Sequence, residues 1–173
     1  MSQALEKLKG GDLRSIGKSN EVVQDILKTP SLFGEVFEGL LADDQVLRMR
    51  CADVIEKVSK VHLGYLQPYK DRLIKEVSKV NQQEVRWHLA QIFSYLELDR
   101  EEITIIVDIL SSWINSEKSK IVIVNSIQTL AEFAKKDKSI RPMVLRKLED
   151  IIKNSSPLVV SRGNKLIKEL KRL

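Results

Sequence analysis

The chain has 173 residues, of which 43% are hydrophobic and 31% charged, and its formal net charge is +5. That apolar share is too high for a disordered polymer, and no run approaches the roughly 20 apolar residues that a membrane-spanning helix needs. Met1 to Lys9 is mostly polar or charged, unlike a secretory leader, and the single cysteine, Cys51, permits no internal disulfide, so the expectation is a cytoplasmic protein.

The charge is unevenly placed. Lys135–Leu173 holds 12 Lys/Arg against 4 Asp/Glu, whereas residues 1–134 hold 17 against 20. A basic end of +8 on a body of −3 can attract nucleic acid or an acidic partner, or it can be a solvated helical face.

Residues 1–29 read as an N-terminal cap segment. Gly10, Gly11 and Gly17 bracket a loose connection, and Asn20–Leu27 is a short helix. The connection ends in Gly17-Lys18-Ser19, as a phosphate-binding loop does. Such a loop needs glycine five places before Gly17, where Asp12 stands, and it must follow a strand, whereas Ala4–Leu8 is helical in pattern. Nucleotide hydrolysis is therefore not expected.

From residue 30 onward the sequence repeats. Leu47–Val58, Val85–Leu96, Val122–Phe133 and Val159–Leu170 start 38, 37 and 37 residues apart. In each, apolar or small residues fall at offsets 0, 4, 7, 8 and 11, the spacing of one buried helical face. A first amphipathic helix precedes each segment, over Pro30–Leu41, Pro68–Val80, Arg100–Ile114 and Pro142–Lys153. The repeats span 30–64, 65–98, 99–136 and 137–173, forming one repeat domain over 30–173. All four prolines fall at expected first turns, after the cap residues Thr29 and Ser156 at two of them. Asn81-x-x-Glu84 and Asp99-x-x-Glu102 read as capping boxes. The β-branched runs at Ile103–Val107 and Ile121–Val124 suit strands by composition, but both continue with helical spacing and lack hairpin turns.

Catalytic and metal-ligating groups are sparse. His62 and His88 are the only histidines, and Cys51 falls on an apolar face beside Ala52 and Val54. This scatter makes neither a zinc site nor a nucleophile–base pair, and no cofactor is expected. Asp43-Asp44 and Glu101-Glu102 sit at helix starts, where they complement the dipole. Trp113 reads as core. Trp87, at offset 2 beside Arg86 and His88, reads as partly exposed and fit for a contact hot spot or for stacking.

Leu47-Arg-x-x-Cys-Ala52 and Val85-Arg-x-x-Leu-Ala90 resemble the start of the second helix of a HEAT repeat, although Ile123 and Val160 replace the arginine in the last two segments. The resemblance implies an all-α, right-handed α-α superhelix, a solenoid of about four two-helix HEAT-like repeats behind a short cap. In such solenoids the second helices line a concave face. Offset 3 then forms a polar row of Arg50, His88, Asn125 and Arg162, and offset 6 a row of Asp53, Gln91, Gln128 and Lys165. With Trp87 these residues form the candidate groove. The function expected is a non-catalytic scaffold that binds a protein or peptide. The alternatives are nucleic-acid binding through Lys135–Leu173 and service as the accessory subunit of an enzyme. HEAT-like DNA glycosylases use an aromatic cleft with an essential aspartate, and no matching Trp–Asp–Arg cluster stands here.

Overall fold

The computed structural model describes residues 3–116 and 118–173. Among these, ten α-helices and short 3-10 turns make up the regular structure, with no strand. Both β-branched runs lie inside helices, because each belongs to a longer stripe whose apolar side chains only a helix brings to one face. Contacts divide the chain into two compact units, Met1–Glu97 and Leu98–Leu173, with the break between the second and third repeats.

In the first unit, α1 (Gln3–Leu8) and α2 (Ser19–Lys28) precede α3 (Leu32–Glu38), which tightens into a 3-10 turn over Gly39–Leu41. Helix α4 (Gln45–Val61) is central and packs against both α2 and α6 (Gln83–Phe93). The expected helix over 68–80 is broken. Only α5 (Lys70–Lys75) is α-helical, between 3-10 turns at Gln67–Tyr69 and Val77–Lys79. Ser78 Oγ donates to the Ile74 carbonyl at 2.5 Å, a local bond that competes with regular continuation of the helix. In the second unit α7 (Arg100–Ser116) packs on α8 (Lys120–Lys136), α9 (Arg141–Lys153) on α10 (Pro157–Leu170), and α8 on α10.

The five-offset face is the core in both units. Leu47, Cys51, Val54, Ile55 and Val58 are buried, and so are all fifteen residues at the same offsets in the other three segments. Small residues fill this face where helices approach closely. Gly39 lies against Cys51 and Gly163 against Ile152, and at either glycine a Cβ would collide with its neighbour.

The repeat arginine acts on its own turn. Arg48 donates through Nη1 to the carbonyls of Ala42 (2.6 Å) and Asp43 (3.0 Å), and through Nε to Gln82 Oε1 (2.8 Å). Arg86, its counterpart, donates to the Val80 carbonyl, six residues back like Ala42 from Arg48. Each thus satisfies carbonyls left over where the first helix of its pair ends.

Helix starts divide into those that match the expected caps and those that do not. Asp99 and Glu102 form a reciprocal capping box, each carboxylate accepting the other's backbone N–H at 2.8–2.9 Å. Asp44 caps α4 by accepting from Val46 and Leu47. Asn81 does not cap α6. Gln82 stands at that position and turns its amide to Arg48 and the Gln45 carbonyl. Pro30 lies in the turn ahead of α3, Thr29 closes α2, and the Ser156 hydroxyl makes no cap bond.

Arg48→Ala should lower unfolding free energy by about 2 kcal/mol, the loss of charge-assisted bonds to carbonyls in a half-buried turn. Arg48→Lys should recover less than half of that, because an ammonium cannot reproduce the guanidinium fork. Urea denaturation with an unchanged m-value checks this, and a lysine variant as stable as wild type would refute it.

Candidate functional site

The polar rows are placed differently in the successive repeats. In the first, Arg50 is 4% and Asp53 6% exposed, because α2 lies over this face of α4. Arg50 reaches across to the connection between α1 and α2. It donates to the carbonyls of Leu8 (2.9 Å), Lys9 (3.2 Å) and Ser15 (3.0 Å). Gly11 and Gly17 both have positive φ, and a Cβ on either would come within 2.8 Å of the guanidinium. The glycine-rich segment therefore wraps a cation with carbonyls. Asp53 pairs with Lys57 at 2.7 Å, and Lys57 also reaches Asn20 of α2. The expected accessible row does not exist at Arg50 and Asp53, because the cap covers them.

The second repeat is open. Trp87, His88 and Gln91 on α6 are each partly exposed, with the indole and imidazole rings 5.7 Å apart. Gln91 Nε2 donates to the Trp87 carbonyl at 3.3 Å. Beneath them lies a polar cluster missed in the sequence. Glu56, with its side chain 6% exposed, accepts from the Tyr95 hydroxyl at 2.7 Å and pairs with Lys60 at 2.8 Å. Glu56 and Tyr95 stand at offsets 9 and 10. The only sequence signal for them was polarity next to the apolar stripe. Burial, then the bond to Glu56, raise the Tyr95 hydroxyl well above its ordinary pKa.

His88 lies over this cluster, its Nδ1 buried and bonded to nothing among the described residues. Burial pushes its pKa below the ordinary imidazole value. Asp53 and Glu56 oppose that shift, whereas Lys57 and Lys60 reinforce it. The ring is thus held neutral. The face offers aromatic surface, an amide and internally paired charges.

In the second unit, Asn125, Gln128 and Arg162 are half-buried and Lys165 is exposed. Arg162 Nη2 donates to Gln128 Oε1, and Gln128 Nε2 to Glu132 Oε1 (2.6 Å). Lys135 bridges Glu132 (2.9 Å) and Glu169 (3.1 Å). One chain of polar and charged side chains therefore crosses from α8 to α10.

Elsewhere, burial pushes the Cys51 thiol up to about 12. Trp113 is core, and the exposed His62 stacks on Tyr65 at 5.1 Å. Among the described residues no cluster of His, Cys, Asp and Glu has metal-holding geometry, and no helix is long and apolar enough to cross a membrane. Compared with family models, with curated proteins and with solved structures, the chain matches none of them.

Two measurements follow from these placements. In the folded chain Cys51 should resist a thiol reagent at pH 8 and react only on unfolding, so stoichiometric labelling of native protein would contradict its burial. For His88 the folded pKa is lower than the unfolded one, so the unfolded chain binds the proton first. Stability should fall as pH drops below about 6.5, the ordinary imidazole value, and stop falling below the folded pKa. His88→Asn should flatten that part of the pH–stability curve, and an unchanged slope would refute the assignment.

Proposed function

We propose that this chain is a non-catalytic, protein-binding scaffold of the HEAT-like α-solenoid kind, working in the cytoplasm, with a partner peptide or domain lying along the second helices. The observation that carries this reading is the partly exposed Trp87–His88–Gln91 face of α6 over the buried, paired carboxylates Asp53 and Glu56. A large, partly exposed aromatic on a rigid helix loses little conformational freedom on binding, and tryptophan dominates many interface hot spots. Internally paired charges around it set partner register without leaving a bare buried charge. The twenty buried positions at repeat spacing support the solenoid class.

The second reading, nucleic-acid binding, draws on Lys138, Arg146, Lys165, Lys168 and Arg172, which form no ion pair among the described residues. The experiment is capture from cell lysate with and without nuclease, comparing wild type with Trp87→Ala/Gln91→Ala. A protein retained through nuclease and lost from the variant supports the scaffold. Equal retention by both chains overturns the α6 face. Loss of all bound material on nuclease treatment, with steep salt dependence, favours the basic region instead.

A further inference from the structure

An open pocket of about 380 Å³ lies on the first unit, where α1, the glycine-rich connection and Arg50 of α4 meet. Its lining carries four cations, Lys7, Lys9, Lys18 and Arg50, and one carboxylate, Glu6. Lys7 and Lys9 have carboxylate partners, Asp25 at 2.6 Å and Glu6 at 2.8 Å. Lys18 and Arg50 have none among the described residues. Arg50 is the unusual one. Its guanidinium is almost wholly inside the protein, yet among the described residues its hydrogen bonds go only to carbonyls, which take up Nε and Nη1. Among the described residues Nη2 has no hydrogen-bond partner, and it is not one of the enclosed, unsatisfied atoms, so it keeps some solvent access. A buried cation without a counter-charge is costly, and neutral carbonyls offset that cost only in part.

We propose that this pocket binds a small oxyanion of the phosphate class, held between the free Nη2 of Arg50 and the ammonium of Lys18. The glycines keep the approach open. A side chain at Gly11 or Gly17 would press on the guanidinium, and the positive φ at Gly10, Gly11 and Gly17 suits no other residue well. Helix α2 begins at Ser19, beside Lys18, and its first-turn amides add positive potential. Two cations without partners favour a divalent phosphate over a single carboxylate. The chemistry ends at binding. Ser19 Oγ donates to the Ile16 carbonyl at 2.7 Å, so the hydroxyl that would hold a magnesium ion in a nucleotide-hydrolysing loop is turned inward.

The test is titration of the full chain with inorganic phosphate, followed by amide NMR at constant ionic strength set with chloride. Arg50→Ala removes three internal bonds and can unfold the cap, so Lys18→Glu is the decisive variant. Lys79→Glu, an exposed site elsewhere on the same unit, is the charge-matched control. Saturable shifts at Gly10, Gly11 and Gly17 are expected, weakened about ten-fold or more by Lys18→Glu and unaltered by Lys79→Glu, a change of about 1.4 kcal/mol. Shifts that saturate with neither phosphate nor ATP, or that weaken equally in both variants, would overturn the proposal. A parallel titration with ATP separates the sources. Saturation at the same glycines by ATP alone supports the site and assigns it to a phosphate ester rather than to free phosphate.

Discussion

Everything else in this chain hangs from one packing unit, a helix that buries side chains at offsets 0, 4, 7, 8 and 11 against its neighbours. Fully burying a valine, leucine, isoleucine or phenylalanine side chain stabilises by about 1.5–3 kcal/mol. Five such positions on one helix outweigh any single hydrogen bond in its turn. The face is also tolerant in composition. Ser126, Thr129 and Gly163 occupy it alongside Phe93 and Phe133, because a small residue on one helix admits a large one from the next. This is why four segments with little identity form helices with the same buried face, although α6 ends at Phe93 and leaves its last position, Leu96, in the following turn, and why the β-branched run in α8 is helical.

The polar positions follow from the same phase but not to the same end. Offset 3 is a clamp on the N-terminal segment at Arg50, a neutral ring over a carboxylate pair at His88, and one end of a bonded chain at Arg162. A repeat fixes where a side chain starts, and the neighbouring helix decides what it meets. On α4 that neighbour is α2, which converts a would-be surface into an interior. On α6 the corresponding residues keep part of their surface.

The sequence was most informative where the cause is local. The capping box of Asp99 and Glu102 acts over three residues, and the five-offset face over twelve, so both can be read from spacing alone. It was least informative where partners lie far apart in the chain. Arg50 meets carbonyls 35 to 42 residues away, and Glu56 meets Tyr95 across 39. The role of the connection before Gly17-Lys18-Ser19 was likewise hidden, because the carbonyls of Leu8, Lys9 and Ser15 meet an arginine far along the chain. The broken helix at 68–80 and the displaced roles of Asn81, Thr29 and Pro30 came from choices among nearly equal local bonds, which pattern does not rank.

The clamp on the connection between α1 and α2 also bears on how the protein is made. The carbonyls that Arg50 gathers are synthesised first, and the arginine arrives about 40 residues later, a wait of roughly 2–8 s at ordinary translation rates. During that interval Val22, Val23 and Ile26 of α2 have no α4 to cover. The first part of the unit to emerge from the ribosome thus waits for a later segment before it can lock. Its glycines keep it pliable until the guanidinium arrives, and nascent chains should pass through a state in which this segment is open to proteases and chaperones.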